Sequence, residues 1–183
     1  MPPAKLKVLA EGIFFSVLNY CVQVYGNVWD LTMYNEKQDR STAFTKDDNR
    51  KLQIIVNKVL RALTGLDYDT PVSQLVAVSG QLSVQQRTAF HTLTSMYKTV
   101  QSGLPVYCYN RLDESRPRPY LETRSTVMYR VDYKLSISRC SYFYRGSRLF
   151  NLLPRDVLEA TNIKTFKKKA KAWVKKNIPV LPP

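Results

Sequence analysis

Hydrophobic positions along this 183-residue chain recur mainly at steps of three and four, the spacing of helix faces, so the pattern predicts a mainly α-helical protein. Pro2 and Pro3 suit the first helical positions, and a long helix is expected from there to about Tyr25. Leu6, Leu9, Ile13, Val17, Cys21 and Val24 mark its expected buried side, and Phe14, Leu18 and Tyr25 widen that stripe. A helix so apolar expects neighbours on more than one side. Gly26 should stop it, and Asn27 to Thr45 carries no period and reads as a polar loop.

The second helix opens at Thr45, with Asp47 and Asp48 placed near its positive end. Leu52, Ile55, Val56, Val59, Leu60 and Leu63 should face inward, while Arg50, Asn57, Lys58 and Arg61 should face out. Gly65 fits a left-handed C-terminal stop. Thr70 is the expected cap of a short helix with Pro71 at its first position, ending before Gly80. Ser83 with Gln86 forms a capping box for a helix from Val84 to Gln101, closed by Gly103. Three capped helices with short connections predict a bundle. Pro105 to Leu112 adds a turn or two.

After this the pattern changes. DESRPRPYLETR combines prolines with alternating charge and no period, the signature of a linker. Val127, Tyr129, Val131 and Tyr133 then alternate with Met128, Arg130 and Asp132, which predicts a strand; Cys140 to Tyr144 is its expected partner in a two-stranded ribbon. Gly146 to Leu153 returns to helical spacing. Asn162 is a fair cap for a last helix whose stripe is Ile163, Phe166, Ala170, Trp173 and Val174. The expected organisation is a helical bundle over 1–112, a linker over 113–124, and a region over 125–183 with the small β ribbon and a basic C-terminal helix.

Charge alters this picture most. The net charge is +14, and it is not spread evenly. Residues 1–50 carry 6 Lys/Arg against 6 Asp/Glu, residues 51–110 carry 5 against 2, residues 111–148 carry 9 against 4, and residues 149–183 carry 8 against 2. A gradient of this kind points to a polyanion, nucleic acid before an anionic membrane. Cys21, Cys108 and Cys140 are widely spaced, and with the single His91 they lack the ligand spacing of a zinc site; free thiols in a reducing compartment are the plain reading. The start MPPAKLKV has no signal-peptide architecture, and the most apolar run, Ile13 to Trp29, is interrupted by Asn19, Gln23 and Asn27. These features predict an intracellular protein, nuclear or cytoplasmic, not secreted and without a membrane partner.

No constellation for catalysis emerges. There is no Gly-rich phosphate loop, and His91 lies mid-helix without a thiol set against it. Asp47-Asp48, Asp67/Asp69 and Asp113-Glu114 fall at a helix start, a turn and the linker, so they do not form the converging carboxylates of two-metal chemistry. No catalytic residue, metal or cofactor is expected. What remains is binding. Arg50, Asn57, Lys58 and Arg61 fall in one helical quadrant and are placed to track a phosphate backbone, or are simply a solvated face. Arg124, Arg130, Arg139, Arg145 and Arg148 interleave with Tyr129, Tyr133, Tyr142, Phe143 and Tyr144, which suits base stacking with backbone contact or, equally, a core that joins ribbon to bundle. Lys164, Lys168, Lys171 and Lys175 form a charged face on the last helix.

The order of these segments resembles the region C-terminal to the palm in reverse transcriptases of jockey-like non-LTR retrotransposons. Four blocks carry the resemblance, from about residue 5 to 178: LAEGIFFSVLNYCVQVYGNVW; LQIIVNKVLRALTGLDYDTPVSQLVAVSGQLSV, similar to the family's LQ-x-x-x-N-K-x-x-R-x-x-T-G thumb helices; YKTVQSGLPVY; and RGSRLFNLLPRDVLEATNIKTFKKKAKAW. Phe150 stands where the family often has Trp. The resemblance implies a helical thumb that grips the template–primer (RNA, DNA or an RNA–DNA hybrid) without regard to sequence. It places backbone contact on Gln53, Asn57, Lys58 and Arg61, and with less support on Lys167 and Lys168. It also implies fingers and a palm with metal-binding aspartates upstream of Met1 as missing partners, so that this chain alone would be an inactive fragment of an RNA-directed DNA polymerase. The alternative is a decayed or repurposed helical protein-interaction module, with Ile163, Phe166 and Trp173 as an exposed docking stripe.

Overall fold

The computed structural model describes residues 3–20, 22–26, 46–113 and 142–180, and these form helices and short connections with no strand among them. In chain order they are α1 (Pro3–Leu9), a π-helical segment π1 (Ala10–Phe15), α2 (Ser16–Asn19), α3 (Val22–Tyr25), α4 (Lys46–Thr64), α5 (Val72–Ser79), α6 (Val84–Ser102), α7 (Val106–Asp113), α8 (Tyr142–Asn151), α9 (Arg155–Leu158) and α10 (Ile163–Asn177). The protein is mainly α, as its periodicity predicts.

Local chemistry accounts for the boundaries of the middle helices. At the start of α6 the Ser83 hydroxyl accepts from the Gln86 N–H at 3.2 Å, and the Gln86 side chain accepts from the Ser83 N–H at 3.2 Å. Gly65 and Gly103 end α4 and α6 with φ of 70° and 67°, a left-handed backbone that only glycine enters freely. The cap of α5 lies one residue later than the sequence suggests. Pro71 is the N-cap, and the Thr70 N–H donates to the Asp67 carbonyl at 3.2 Å in the turn before it.

α6 is the spine. α10 runs antiparallel along it: Tyr97 and Phe166 stack with ring centroids 4.0 Å apart, while toward the other end Gln86 Nε2 donates to the Ile178 carbonyl at 2.9 Å. Leu93, Met96 and Tyr97 of α6 share one core with Leu112, Leu149, Phe150, Leu153, Val157, Phe166, Ala170 and Val174, so residues from both sides of 113–124 are buried together. A second core joins Phe15, Val56, Leu60, Val72, Leu75 and Val76 to Val84 at the start of α6. Two glycines let helices approach α6 closely. A Cβ on Gly26 would lie 2.5 Å from Thr88 Oγ1, and one on Gly146 would lie 2.9 Å from Met96 Sδ.

The N-terminal helix corrects its predicted face. The π turn adds a residue, so the covered positions run Leu6, Ala10, Phe15, Leu18 and Val22, with a five-residue step across it. The Ser16 hydroxyl, donating to the Gly12 carbonyl at 2.7 Å, competes for backbone acceptors in that turn. The register change rotates the predicted stripe outward: Leu9, Ile13, Val17 and Val24 are exposed, with Ile13 and Val17 at 66% and 74%. Ile13 and Val17 border an apolar cleft of about 480 Å³, lined also by Phe14, Leu18, Leu52 and Ile55. The helix also breaks at Tyr20, whose ψ of 117° is extended, rather than running unbroken to Tyr25. Cys21 lies outside the described residues, as do Asn27 to Thr45.

The ribbon needs a correction where it can be seen. Tyr142 to Tyr144, expected in its second strand, form the first turn of α8, whose Leu149 and Phe150 are buried at a helical spacing. A run of three aromatics fits either structure alone; here its continuation through Arg145 and Gly146 onto α6 makes it helical. The first strand, Val127 to Tyr133, and the 113–124 linker beyond Asp113 lie outside the described residues.

Candidate nucleic-acid interface

α10 begins where Asn162 Oδ1 accepts from the Thr165 N–H at 2.8 Å. Phe166, Ala170 and Val174 are fully buried, and Ile163 and Trp173 are half-buried against the same core. The stripe imagined as a docking surface is therefore the helix's own attachment. At about 100° per residue, Lys164, Lys167, Lys168, Lys171 and Lys175 fall within an arc of about 100° that adjoins this stripe on the Val174 flank. All five are exposed, along roughly 16 Å of axis at 1.5 Å per residue. Lys169 and Lys176 project from the far flank, where Lys169 Nζ donates to the Asp156 carbonyl at 2.5 Å. Lys175 Nζ donates to the Gly80 carbonyl at 3.2 Å, which ties the end of the lysine face to the turn between α5 and α6.

Other elements add to this face. Lys171 is held below the usual lysine range by desolvation, then by the charges of Lys175 and Arg87, with Lys7 adding and Glu11 opposing. His91 on α6 is lowered by burial first, then by Arg87 and Lys167. Three elements thus contribute to one cationic region: α10 by its lysines, α6 by Arg87, with the uncharged His91 beside it, and α1 by Lys7. Arg87 lies beneath it as a structural cation. Its guanidinium sits 3.7 Å above the Phe15 ring, Nε donates to the Leu82 carbonyl at 3.2 Å, and Nη2 donates to Gln81 Oε1 at 2.5 Å. Gln81 Nε2 in turn donates to Glu11 Oε1 at 2.6 Å. Burial lowers the Arg87 pKa to about 10, with Glu11 acting the other way, so it remains charged at neutral pH.

The remaining predicted contacts separate into those at the surface and those withdrawn from it. Arg50 and Lys58 are exposed on α4. Arg61 is half-buried and holds the following loop: Nη2 donates to the Tyr68 carbonyl at 2.8 Å, and its guanidinium lies 4.8 Å from the Tyr68 ring centre. Gln53 and Asn57 are corrections. Both are buried, Gln53 Nε2 donates to Asn57 Oδ1 at 2.8 Å, and Gln53 Oε1 accepts from the Val84 N–H at 2.9 Å. Their amides serve the first turn of α6 and cannot reach a phosphate. Arg145 is a correction as well, because it is buried and donates to the carbonyls of Gly26 and Val24, pinning α3 to α8. Arg148 is half-buried beside the Tyr144 ring, and Nη1 donates to the Tyr144 hydroxyl at 3.3 Å. Arg130 lies outside the described residues.

Sequence reasoning missed Lys7 and His91 as neighbours of the lysine face. No linear signal marks them, since three elements of distant sequence bring them together. Among the described residues no group of three or more His, Cys, Asp or Glu side chains could hold a metal, and no helix is long and apolar enough to cross a membrane. Fold and surface thus define a helical protein that fastens one lysine-faced helix along its spine. No family model, curated protein or solved structure matches the chain.

Proposed function

We propose that this chain is a thumb-like module of a non-LTR retrotransposon reverse transcriptase type, which grips a template–primer nucleic acid by its phosphate backbone and does not itself catalyse. The observation that supports it most is the arc of five exposed lysines on α10, held in place by the burial of Phe166, Ala170 and Val174 on the neighbouring face. Lysine ammonium groups contact phosphates as point charges and read no base edges, so the grip is indifferent to sequence. The four ordered sequence blocks support the parentage, and a palm and fingers would be its partners in such an enzyme. With Gln53, Asn57 and Arg145 inside the protein, the contact set narrows to Lys164, Lys167, Lys168, Lys171 and Lys175, with Arg50 and Lys58 as outliers on α4.

Fluorescence anisotropy with a labelled RNA–DNA hybrid of 12 base pairs, over a series of NaCl concentrations, tests this reading. Neutralising four to five phosphates should give a log–log slope of about −3 to −4.5 in the dependence of affinity on salt. A salt-independent affinity, or no binding at low salt, would overturn it. The exposed Leu9, Ile13 and Val17 favour a second reading as a protein-interaction module. In that case Val17→Asp should abolish a partner complex while leaving hybrid binding intact.

A further inference from the structure

We propose that the cationic surface where the lysine arc of α10 and the N-terminal helix flank the middle turns of α6 around His91 seats a phosphate group of the bound polyanion, and that His91 takes up a proton when the seat is filled. The proposal rests on the nucleic-acid reading above and adds a proton to it. Its geometry comes from the antiparallel register of α6 and α10. That register, fixed at one end by the Tyr97–Phe166 stack and at the other by Gln86 on the Ile178 carbonyl, lays the lysine arc beside the middle turns of α6. The Arg87–Phe15 contact and the Arg87–Gln81–Glu11 chain hold π1 against the same turns from the other side. His91 lies one turn beyond Arg87, half-buried, with the Phe90 ring edge-on at 5.6 Å.

The charged groups around this seat are Arg87 on α6, Lys167 and Lys171 on α10, Lys7 on α1 and Glu11 on π1. Four of these five are cations, and the lone acid is bonded to Gln81. In the free protein the positive field and partial burial both oppose a charge on the imidazole, so it stays neutral near pH 7. A phosphodiester drawn in by Lys167 and Lys171 brings a full negative charge to the same place. It offsets the field of the lysines and offers an acceptor oxygen, and both effects favour the imidazolium, whose proton comes from solvent. Affinity should therefore rise as pH falls through the raised pKa of the complex, and level off once pH is below the pKa of the free protein. A single linked proton changes affinity by at most about tenfold per pH unit.

Because His91 is the only histidine in the chain, its imidazole C–H signal in a proton NMR spectrum is unambiguous. The test titrates that signal from pH 5 to 8 in the free protein and with the same RNA–DNA hybrid bound, and measures hybrid affinity across that range. The expected result is a free pKa below 6.5, a rise of about one unit on binding, and roughly three- to sixfold tighter binding at pH 5.5 than at pH 7.5. His91→Gln should bind with no such slope, and His91→Lys should bind tightly at both pH values. A matched concentration of NaCl should move the free pKa less than the hybrid does. An unchanged imidazole pKa in a complex that forms normally, or the same pH slope in His91→Gln, would overturn the seat while leaving the nucleic-acid reading intact. Absence of binding at every pH would overturn both.

Discussion

At the residue scale, the side chains that look most available in the sequence include some that the fold uses internally. Gln53 and Asn57 sit on α4 among charged neighbours, yet their amides pair with each other and with the Val84 N–H. Gln53→Ala should destabilise the protein by about 1–3 kcal/mol in urea unfolding, because it strands a buried donor, and should leave hybrid affinity unchanged at permissive temperature. Lys167→Gln should do the reverse, with an unaltered unfolding midpoint and a salt slope reduced by about one. His91 carries a pH signature in stability as well. Its folded pKa lies below the ordinary 6.5, so under acid conditions the unfolded chain binds more protons, and stability falls as pH drops from above 6.5 toward the folded value. The wild type should therefore lose more of its urea midpoint between pH 7.5 and 5.5 than His91→Gln does.

At the element scale, what could be read in advance was what is decided locally. The Ser83/Gln86 box, the Asn162 cap and the left-handed Gly65 and Gly103 depend on residues within one turn of each other, and all are present as the sequence implies. The face of the first helix was not legible, since one π turn adds a single residue and no residue type announces it. Nor was the helical state of Tyr142 to Tyr144, which follows from the packing of Gly146 against Met96. That packing is itself testable. Gly146→Ala, otherwise favourable in a helix, must displace the Met96 side chain, and should lower stability by about 1–3 kcal/mol in thermal unfolding. Phe166→Ala removes a fully buried ring from α10, and should cost about 3–5 kcal/mol while leaving the lysines in place.

At the scale of the whole molecule, the charge gradient places the cations toward the C-terminus, but composition alone could not show which of them face water. Of the side chains the sequence nominated for binding, the five lysines on α10 share one exposed arc, whereas Gln53, Asn57 and Arg145 hold helices together. The difference is tertiary: a polar residue on a helix has two natural destinations, solvent or the unsatisfied backbone of a neighbouring helix, and its own sequence does not distinguish them. Lys7 and His91 show the same limit from the other side, as they join the lysine face through the packing of α1 and α6 rather than through any motif.

The way α6 acquires its partners also sets a schedule for the growing chain on the ribosome. Its Val84 N–H waits on Gln53, already made, but Leu93, Met96 and Tyr97 share their core mainly with residues 142 to 178, Leu112 being the earlier member. Translation at about 5–20 residues per second leaves that apolar flank bare for several seconds or more. A chaperone that captures nascent hydrophobic surface should thus hold the chain after α6 emerges and release it only once Ile178 has cleared the exit tunnel.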